Sequence, residues 1–250
     1  MTYRYIYTIL FALSYICNAL VVTACAKEKD SAFVTVRIYP VFDGMQLILD
    51  TENYTNEHGN LLTISLFRFY ITHLKLHVTG TSDYVTPEGS HLIDAQDTTT
   101  CSFSFSVPLG TFDSVSFVTG VDSADNTSGA NSGDLDPAKG MYWAWNSGYI
   151  MAKLEGNSAV CKTIHKAFEF HIGGYMPPYN AMRQVNLPLG ETITIENGKR
   201  STININADAA RWFAHGLDLS VTNSVLIPGR AACEIADNYS GMFSISGSTP

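Results

Sequence analysis

Residues 33–39 of the 250-residue chain read Phe33-Val34-Thr35-Val36-Arg37-Ile38-Tyr39, and this stretch decides the fold class. Apolar residues recur there at every second position, which is the period of a β-strand with one buried face. Pro40 is expected to end the strand, and the Asp43-Gly44 turn leads to a second strand at residues 45–49. The mature chain is therefore expected to begin with β-structure.

The same period continues along the chain, and helical periodicity is scarce. Further strands are predicted at residues 61–64, 67–78, 101–107, 114–120, 148–154, 167–172, 184–187, 192–195, 201–205 and 244–246. Gly, Pro, Asn and Asp turns separate them, which is typical of an antiparallel β-sandwich. Short helices are expected only near the C-terminus, at residues 206–213 and 230–239. We predict one all-β domain over residues 32–250, since no linker or repeat divides it.

Residues 1–24 resemble a secretory signal peptide. Arg4 precedes a largely apolar run that ends in Val22-Thr23-Ala24, directly before Cys25. A cysteine at this position resembles the lipobox of bacterial lipoproteins, so lipid on Cys25 is expected to anchor the protein to a membrane. An uncleaved N-terminal membrane anchor is the alternative. Residues 25–31 would form a charged tether, and we expect an outer-membrane protein, on the periplasmic side or at the cell surface.

Charge and motif content argue against several classes of function. The chain has 15 Lys+Arg and 23 Asp+Glu for a net charge of −8, and no basic stretch, so no nucleic-acid partner is expected. It has no G-x-S-x-G, H-E-x-x-H or phosphate-loop motif, and we predict that it is not an enzyme. Among Cys101, Cys161 and Cys233 one disulfide is expected, with Cys101–Cys161 slightly favoured and the connectivity open.

The most distinctive segment is Leu135-Asp136-Pro137-Ala138-Lys139-Gly140-Met141-Tyr142-Trp143-Ala144-Trp145-Asn146-Ser147-Gly148-Tyr149, continuing to Glu155-Gly156. It resembles the signature of the MbnP-like family, the relatives of methanobactin-associated periplasmic copper proteins. In that family an L-D-P-x-x-G-M element leads into W-x-W, an S-G-Y turn and a K-x-E-G strand end. Weaker agreement at residues 69–72, 92–94, 168–174, 235–238 and 242–243 extends the resemblance over about residues 33–245.

The resemblance implies a secreted β-sandwich that binds copper. In some members a tryptophan at the site is oxidised to kynurenine by a partner dihaem peroxidase-like enzyme. The candidate ligands are His171, Met141 and His73, because Cu(I) prefers imidazole and thioether donors. Trp143 and Trp145 would line the site, on the same face as Met141 if the segment is extended.

Each of these residues also has an ordinary interpretation, as a core aromatic, a gap-filling methionine or a hydrogen-bonded histidine. His73 stands where the family commonly has Asn, so it either adds a ligand or lies on the surface. His165 and His171 are about 20 Å apart along one strand, and His73 and His77 about 13 Å, so neither pair can share an ion. A copper site must therefore combine histidines from different strands.

Two further interpretations remain open. The loop at residues 122–136 carries oxygen donors that suit structural Ca²⁺, although Asx-rich turns also form without metal. These donors are Asp122, Asp125, Asn126, Asp134 and Asp136. The second interpretation is a surface module without metal, whose aromatic face binds a glycan or a partner protein. Its face would consist of Trp143, Trp145, Tyr149, Tyr175 and Tyr179.

Overall fold

The computed structural model describes residues 30–86, 89–145 and 148–249. The predicted signal peptide, Cys25 and most of the predicted tether lie outside the described residues. From Ser31 onward the described chain forms one unit of contacts. None of its helices has the length and apolar character needed to cross a bilayer.

Strands make up most of the regular structure, which confirms the all-β prediction. The strands are β1 (Ser31–Phe42), β2 (Met45–Gln46), β3 (Tyr54–Thr55), β4 (Leu61–Val78), β5 (Tyr84–Val85), β6 (His91–Asp94), β7 (Ser102–Pro108), β8 (Gly110–Thr119), β9 (Tyr142–Trp143), β10 (Gly148–Asn157), β11 (Ala167–Gly173), β12 (Tyr175–Met176), β13 (Tyr179–Asn180), β14 (Arg183–Ile195), β15 (Ser201–Asp208), β16 (Ser224–Val225) and β17 (Phe243–Thr249). The helices are α1 (Ser123–Thr127) and α2 (Arg230–Ser240), with 3-10 helices at Thr98–Cys101, Gly133–Leu135, Pro137–Lys139 and Ala209–Phe213.

Two sheets pack face to face. The small sheet has the order β17-β15-β1-β2, with β7 also paired to β1. The large sheet has the order β14-β8-β4-β10-β11-β16, with β3, β5 and β6 on β4 and β9 on β10. Phe243 of β17 contacts Phe69 of β4 and Phe117 of β8, with ring centroids 5.5 Å and 4.9 Å apart, so the core lies between the sheets.

Most neighbouring strands are antiparallel, as predicted, but β1 and β15 pair in parallel over eight residue pairs. The short pair β11–β16 is parallel as well. Alternation along one strand reports which face is buried and carries no information about the direction of a partner that is distant in sequence. The parallel central pair of the small sheet was therefore not predictable from the pattern.

Several predicted boundaries were wrong. β1 continues through Pro40 because no strand pairs with it on one side at that position, and an unpaired edge tolerates proline. β14 likewise passes Pro188, where its register with β8 shifts. Residues 206–208 belong to β15 instead of a helix, and Asp208 caps the short 3-10 helix that follows. The predicted helix at residues 230–239 forms as α2.

The expected disulfide is not formed, because all three described cysteines are free. They lie on separate elements: Cys101 at the end of a 3-10 helix, Cys161 after β10 and Cys233 in α2. Burial raises the pKa of the Cys101 and Cys161 thiols, which lowers their reactivity. The spacing of the three cysteines along the sequence does not show which of these elements lie close together in the fold.

Candidate functional site

Residues 121–143, which we call the cap, lie across the outer face of the large sheet. Long side chains from the sheet hold the backbone of the cap. Arg68 of β4 donates from Nη1 to the carbonyl of Lys139 at 3.2 Å, and Lys153 of β10 donates to the carbonyl of Gly140 at 2.7 Å. The most distinctive part of the sequence is therefore fixed against β4 and β10.

Beneath the cap lies a second apolar layer built around Tyr149. Its hydroxyl donates to the carbonyl of Leu135 at 2.7 Å and accepts from the amide of Asn131 at 3.1 Å. The buried side chain of Asn126 accepts the Tyr149 amide at 2.7 Å. Met141, which belongs to the cap itself, is completely buried. The cap is thus a packed structure, and Met141 has no exposed surface through which to meet a ligand from solvent.

His171 lies on β11, next to the cap, and is paired with a carboxylate. Its Nε2 is 2.7 Å from Oε1 of Glu155 on β10, and the side chains of His171 and Glu155 are 19% and 28% exposed. The hydrogen bond from His171 holds the pKa of the Glu155 carboxyl below its ordinary value, with Lys153 contributing. In the described chain the other ring nitrogen, Nδ1, has no protein partner, so it is available to a ligand.

Trp143 lies on the same face of β11 as His171. A Cβ added to Gly173 would be 2.4 Å from the indole of Trp143, so the ring lies directly on this glycine. Gly173 follows His171 by two residues, which places the two positions about 7 Å apart on one face of the strand. The structure therefore brings together the predicted ligand His171 and the predicted site aromatic Trp143.

Trp145 departs from the prediction that Met141, Trp143 and Trp145 share one face. β9 ends at Trp143 and the chain turns at residues 144–145, so the two-residue period of a strand no longer applies. Trp145 is 64% exposed, whereas Trp143 is 7% exposed, and their ring centroids are 5.6 Å apart. Trp145 and Trp143 are therefore two neighbouring rings, one at the surface and one buried on the face of the sheet that carries His171.

His73 is remote from this site. Arg68, Lys153 and His171 lie in register across β4, β10 and β11. His73 is five residues further along β4 and two strands away, which places it about 19 Å from His171. Its Nε2 contacts Oδ2 of Asp122 at 2.7 Å. His171 and His73 therefore cannot ligate one ion.

The acidic residues of the cap make turn contacts. Burial alone would raise the pKa of Asp122, but hydrogen bonds from the Asp125 amide and from His73 hold it below its ordinary value. Asp134 accepts the amide of Leu92 and pairs with Lys139, while Asp136 accepts the amide of Ala138 as a helix cap. In residues 30–86, 89–145 and 148–249, no group of three His, Cys, Asp or Glu side chains is placed to hold a metal ion.

The predicted aromatic face is only partly exposed. Trp143, Tyr149, Tyr175 and Tyr179 do line one cleft, of about 230 Å³. Tyr149 is 1% exposed and its hydroxyl is used inside the cap, so it presents no surface to a partner. The predicted aromatic residues therefore do not form one exposed face, since Trp143 is also only 7% exposed.

Sequence reasoning missed the roles of Glu155 and Gly173. Both depend on the register of the β10–β11 pair, in which Lys153 lies opposite His171. The connection at residues 158–166 is too long to fix that register from sequence alone. The available signal was the K-x-E-G strand end followed by a strand that carries a histidine.

Comparison with known proteins gives one family. The family model named MbnP matches residues 31–228. No curated protein matches the chain. Among solved structures, MbnP from Methylosinus trichosporium aligns over 88% of this chain and 99% of its own, with 12% sequence identity and a TM-score of 0.53. At this identity the structural likeness concerns the fold.

Proposed function

Because the chain belongs to the MbnP family, we propose that it is an exported, lipid-anchored protein that binds copper and has no catalytic activity. The observation that supports this function best is the His171–Glu155 pair beside Trp143. We place the copper ion at Nδ1 of His171. The proposal leaves His73 and Met141, the other two candidate ligands, outside the site.

The chemistry of His171 fits copper. Histidines that bind metals almost always donate their second ring N–H to a carboxylate or carbonyl, which fixes the tautomer and the orientation of the ring. Glu155 lies where it can accept this proton from Nε2, which leaves Nδ1 as a neutral donor. Neutral imidazole suits copper, and one such donor on a half-buried face provides a first ligand.

In the described ranges no group of three His, Cys, Asp or Glu side chains is placed to hold a metal ion, so His171 and neighbours of these types do not form a complete site. We propose that Trp143 is the tryptophan a dihaem peroxidase-like partner would oxidise to kynurenine. Opening its indole would free an aromatic amine on the face that carries His171. Trp145 offers the partner an exposed ring 5.6 Å from Trp143, so an electron can leave Trp143 without entry of the partner into the core.

A titration with Cu(I) tests the copper site. Protein purified from its native host is expected to bind one equivalent of copper, and His171→Ala is expected to lose this binding. His73→Ala is the matched control, since it also removes a carboxylate-paired histidine but lies about 19 Å away. Thermal unfolding of both variants checks that they fold.

Two outcomes contradict the proposed site: native protein that binds no stoichiometric Cu(I), and binding that is unchanged in His171→Ala. Loss of binding in His73→Ala but not in His171→Ala would move the site to the other side of the cap. A mass spectrum of the same preparation tests the oxidation independently, since kynurenine adds a small mass to the peptide that contains Trp143.

A further inference from the structure

A groove opens in the small sheet, which is not the sheet that carries the cap. β7 pairs with β1 from Ser31 to Arg37, and β2 pairs with it at Val41 and Phe42. In the described chain, residues 38–40 therefore have no strand beside them on that edge. The opening has a volume of about 690 Å³, which lies within the range of small-ligand sites.

Polar side chains from two strands line the groove. Arg37 lies opposite Asn204, and Tyr39 lies opposite Asn206, because β1 and β15 are in parallel register. The hydroxyl of Tyr39 donates to Oδ1 of Asn204 at 3.4 Å, and the Tyr39 side chain is 43% exposed. Gln46 and Ser102 add further donors and acceptors at the two ends. The lining is thus rich in amides and hydroxyls around one aromatic ring.

The groove carries a single charge, and this charge is positive. None of its lining residues is Asp or Glu, although the chain has 23 Asp+Glu against 15 Lys+Arg. Arg37 is exposed and forms no ion pair with a described residue, whereas Arg68 and Arg183 each pair with a carboxylate at 2.8 Å or less. An unpaired guanidinium offers the planar fork of donors that matches a carboxylate.

We propose that this groove binds an acidic carbohydrate, a sugar chain that carries carboxylate groups. Arg37 takes the carboxylate. The amides of Asn204 and Asn206 both donate to and accept from sugar hydroxyls, which are themselves donors and acceptors. The ring of Tyr39 packs against the apolar face of a sugar ring. The site lies on β1 and β15, apart from His171, so it is independent of the proposed copper function.

Calorimetric titration of the mature protein with a short oligomer of galacturonic acid tests the proposal. The oligomer is expected to bind, and the neutral galactose oligomer and free acetate are each expected to bind at least about tenfold more weakly. Arg37→Gln is expected to weaken binding of the acidic oligomer by about tenfold or more. Asn204→Ala is expected to weaken binding of the acidic oligomer as well.

Arg200→Gln is the matched control. Arg200 is also exposed and directly precedes β15, but it does not line the groove, so the substitution makes the same charge change without touching the site. Affinity for the acidic oligomer should be unchanged in this variant. The proposal is overturned if the acidic oligomer does not bind, if the neutral oligomer or acetate binds equally well, or if Arg37→Gln and Arg200→Gln have the same affinity. Loading with copper should leave the sugar affinity unchanged.

Discussion

Gly173 is the residue on which the position of Trp143 depends. Its backbone has no side chain on the outer face of β11, and the indole fills that space. The carbonyl oxygen of Tyr149 approaches from the same side, 3.0 Å from where a Cβ would stand. The last residue of β11 thus provides the space in which the aromatic ring of the candidate site packs.

Gly173→Ala is expected to displace Trp143. The added methyl would lie 2.4 Å from the ring, and such overpacking costs about 1–3 kcal/mol of unfolding free energy. Denaturant unfolding measures the loss, and tryptophan fluorescence reports the displaced ring. Gly241→Ala is the control, because the nearest atom to its Cβ is 3.7 Å away. If Gly173→Ala leaves the unfolding free energy and the tryptophan emission unchanged, the indole of Trp143 does not pack against Gly173.

Among elements, β10 and β11 decide the chemistry of the candidate site. Lys153 and Glu155 of β10 and His171 of β11 share the outer face, and the hydrogen bond between Glu155 and His171 crosses the two strands. This contact makes the stability of the strand pair depend on pH.

The Glu155 contribution is expected to disappear in acid. Its pKa in the folded protein is below the ordinary value of 4.5, so the stabilisation is complete above pH 4.5 and is lost as the pH falls through the lower folded value. Glu155→Gln should therefore be less stable than wild type above pH 4.5, by at most about 1 kcal/mol for a partly exposed pair, and the difference should shrink in more acidic buffer.

Thermal unfolding measured across this pH range tests the expectation. Glu191→Gln serves as the control, since Glu191 is exposed on β14 and forms no ion pair in the described chain. A stability difference for Glu155→Gln that is independent of pH would mean that the carboxylate does not bond His171.

The strands were predictable because their side-chain period is local. The two-residue alternation of apolar side chains is present in residues 33–39, 102–107 and 167–172. All three segments were predicted as strands and lie within strands of the structure. What could not be predicted depends on contacts between distant residues. Ser65 and Leu66 were expected to interrupt a strand, but β4 continues through them, because Leu66 pairs with Glu155 of β10 and a register shift accommodates Ser65.

The candidate site was predictable in part for the same reason. The family signature predicted Trp143 and Met141 as site residues, and the preference of Cu(I) for imidazole predicted His171. The separation of His73 from His171 arises from the order of three strands in the large sheet, β4-β10-β11. That order is a property of the tertiary fold, and the spacing of histidines along the chain does not contain it.

At the scale of the whole molecule, we propose an outer-membrane lipoprotein. Cys25→Ser is expected to release the protein from the membrane fraction, because a serine cannot take the thioether-linked lipid. Cys17→Ser is the control, since Cys17 leaves with the signal peptide and its loss should not change fractionation. Detergent phase partition measures both, and membrane retention of Cys25→Ser would favour the uncleaved anchor.

β1 has a mechanical consequence for an anchored protein. It begins at Ser31, the last residue of the predicted tether, and it pairs with β7 from its first residue and with β15 from Val34 to Val41. In the lipid-anchored protein that we propose, tension on the tether enters the described fold at the first residue of this strand. A pull directed along the strand loads the hydrogen bonds to both neighbours in shear, many at once, instead of separating them one at a time. The strand that would bear this tension is paired on both sides from Val34 to Arg37.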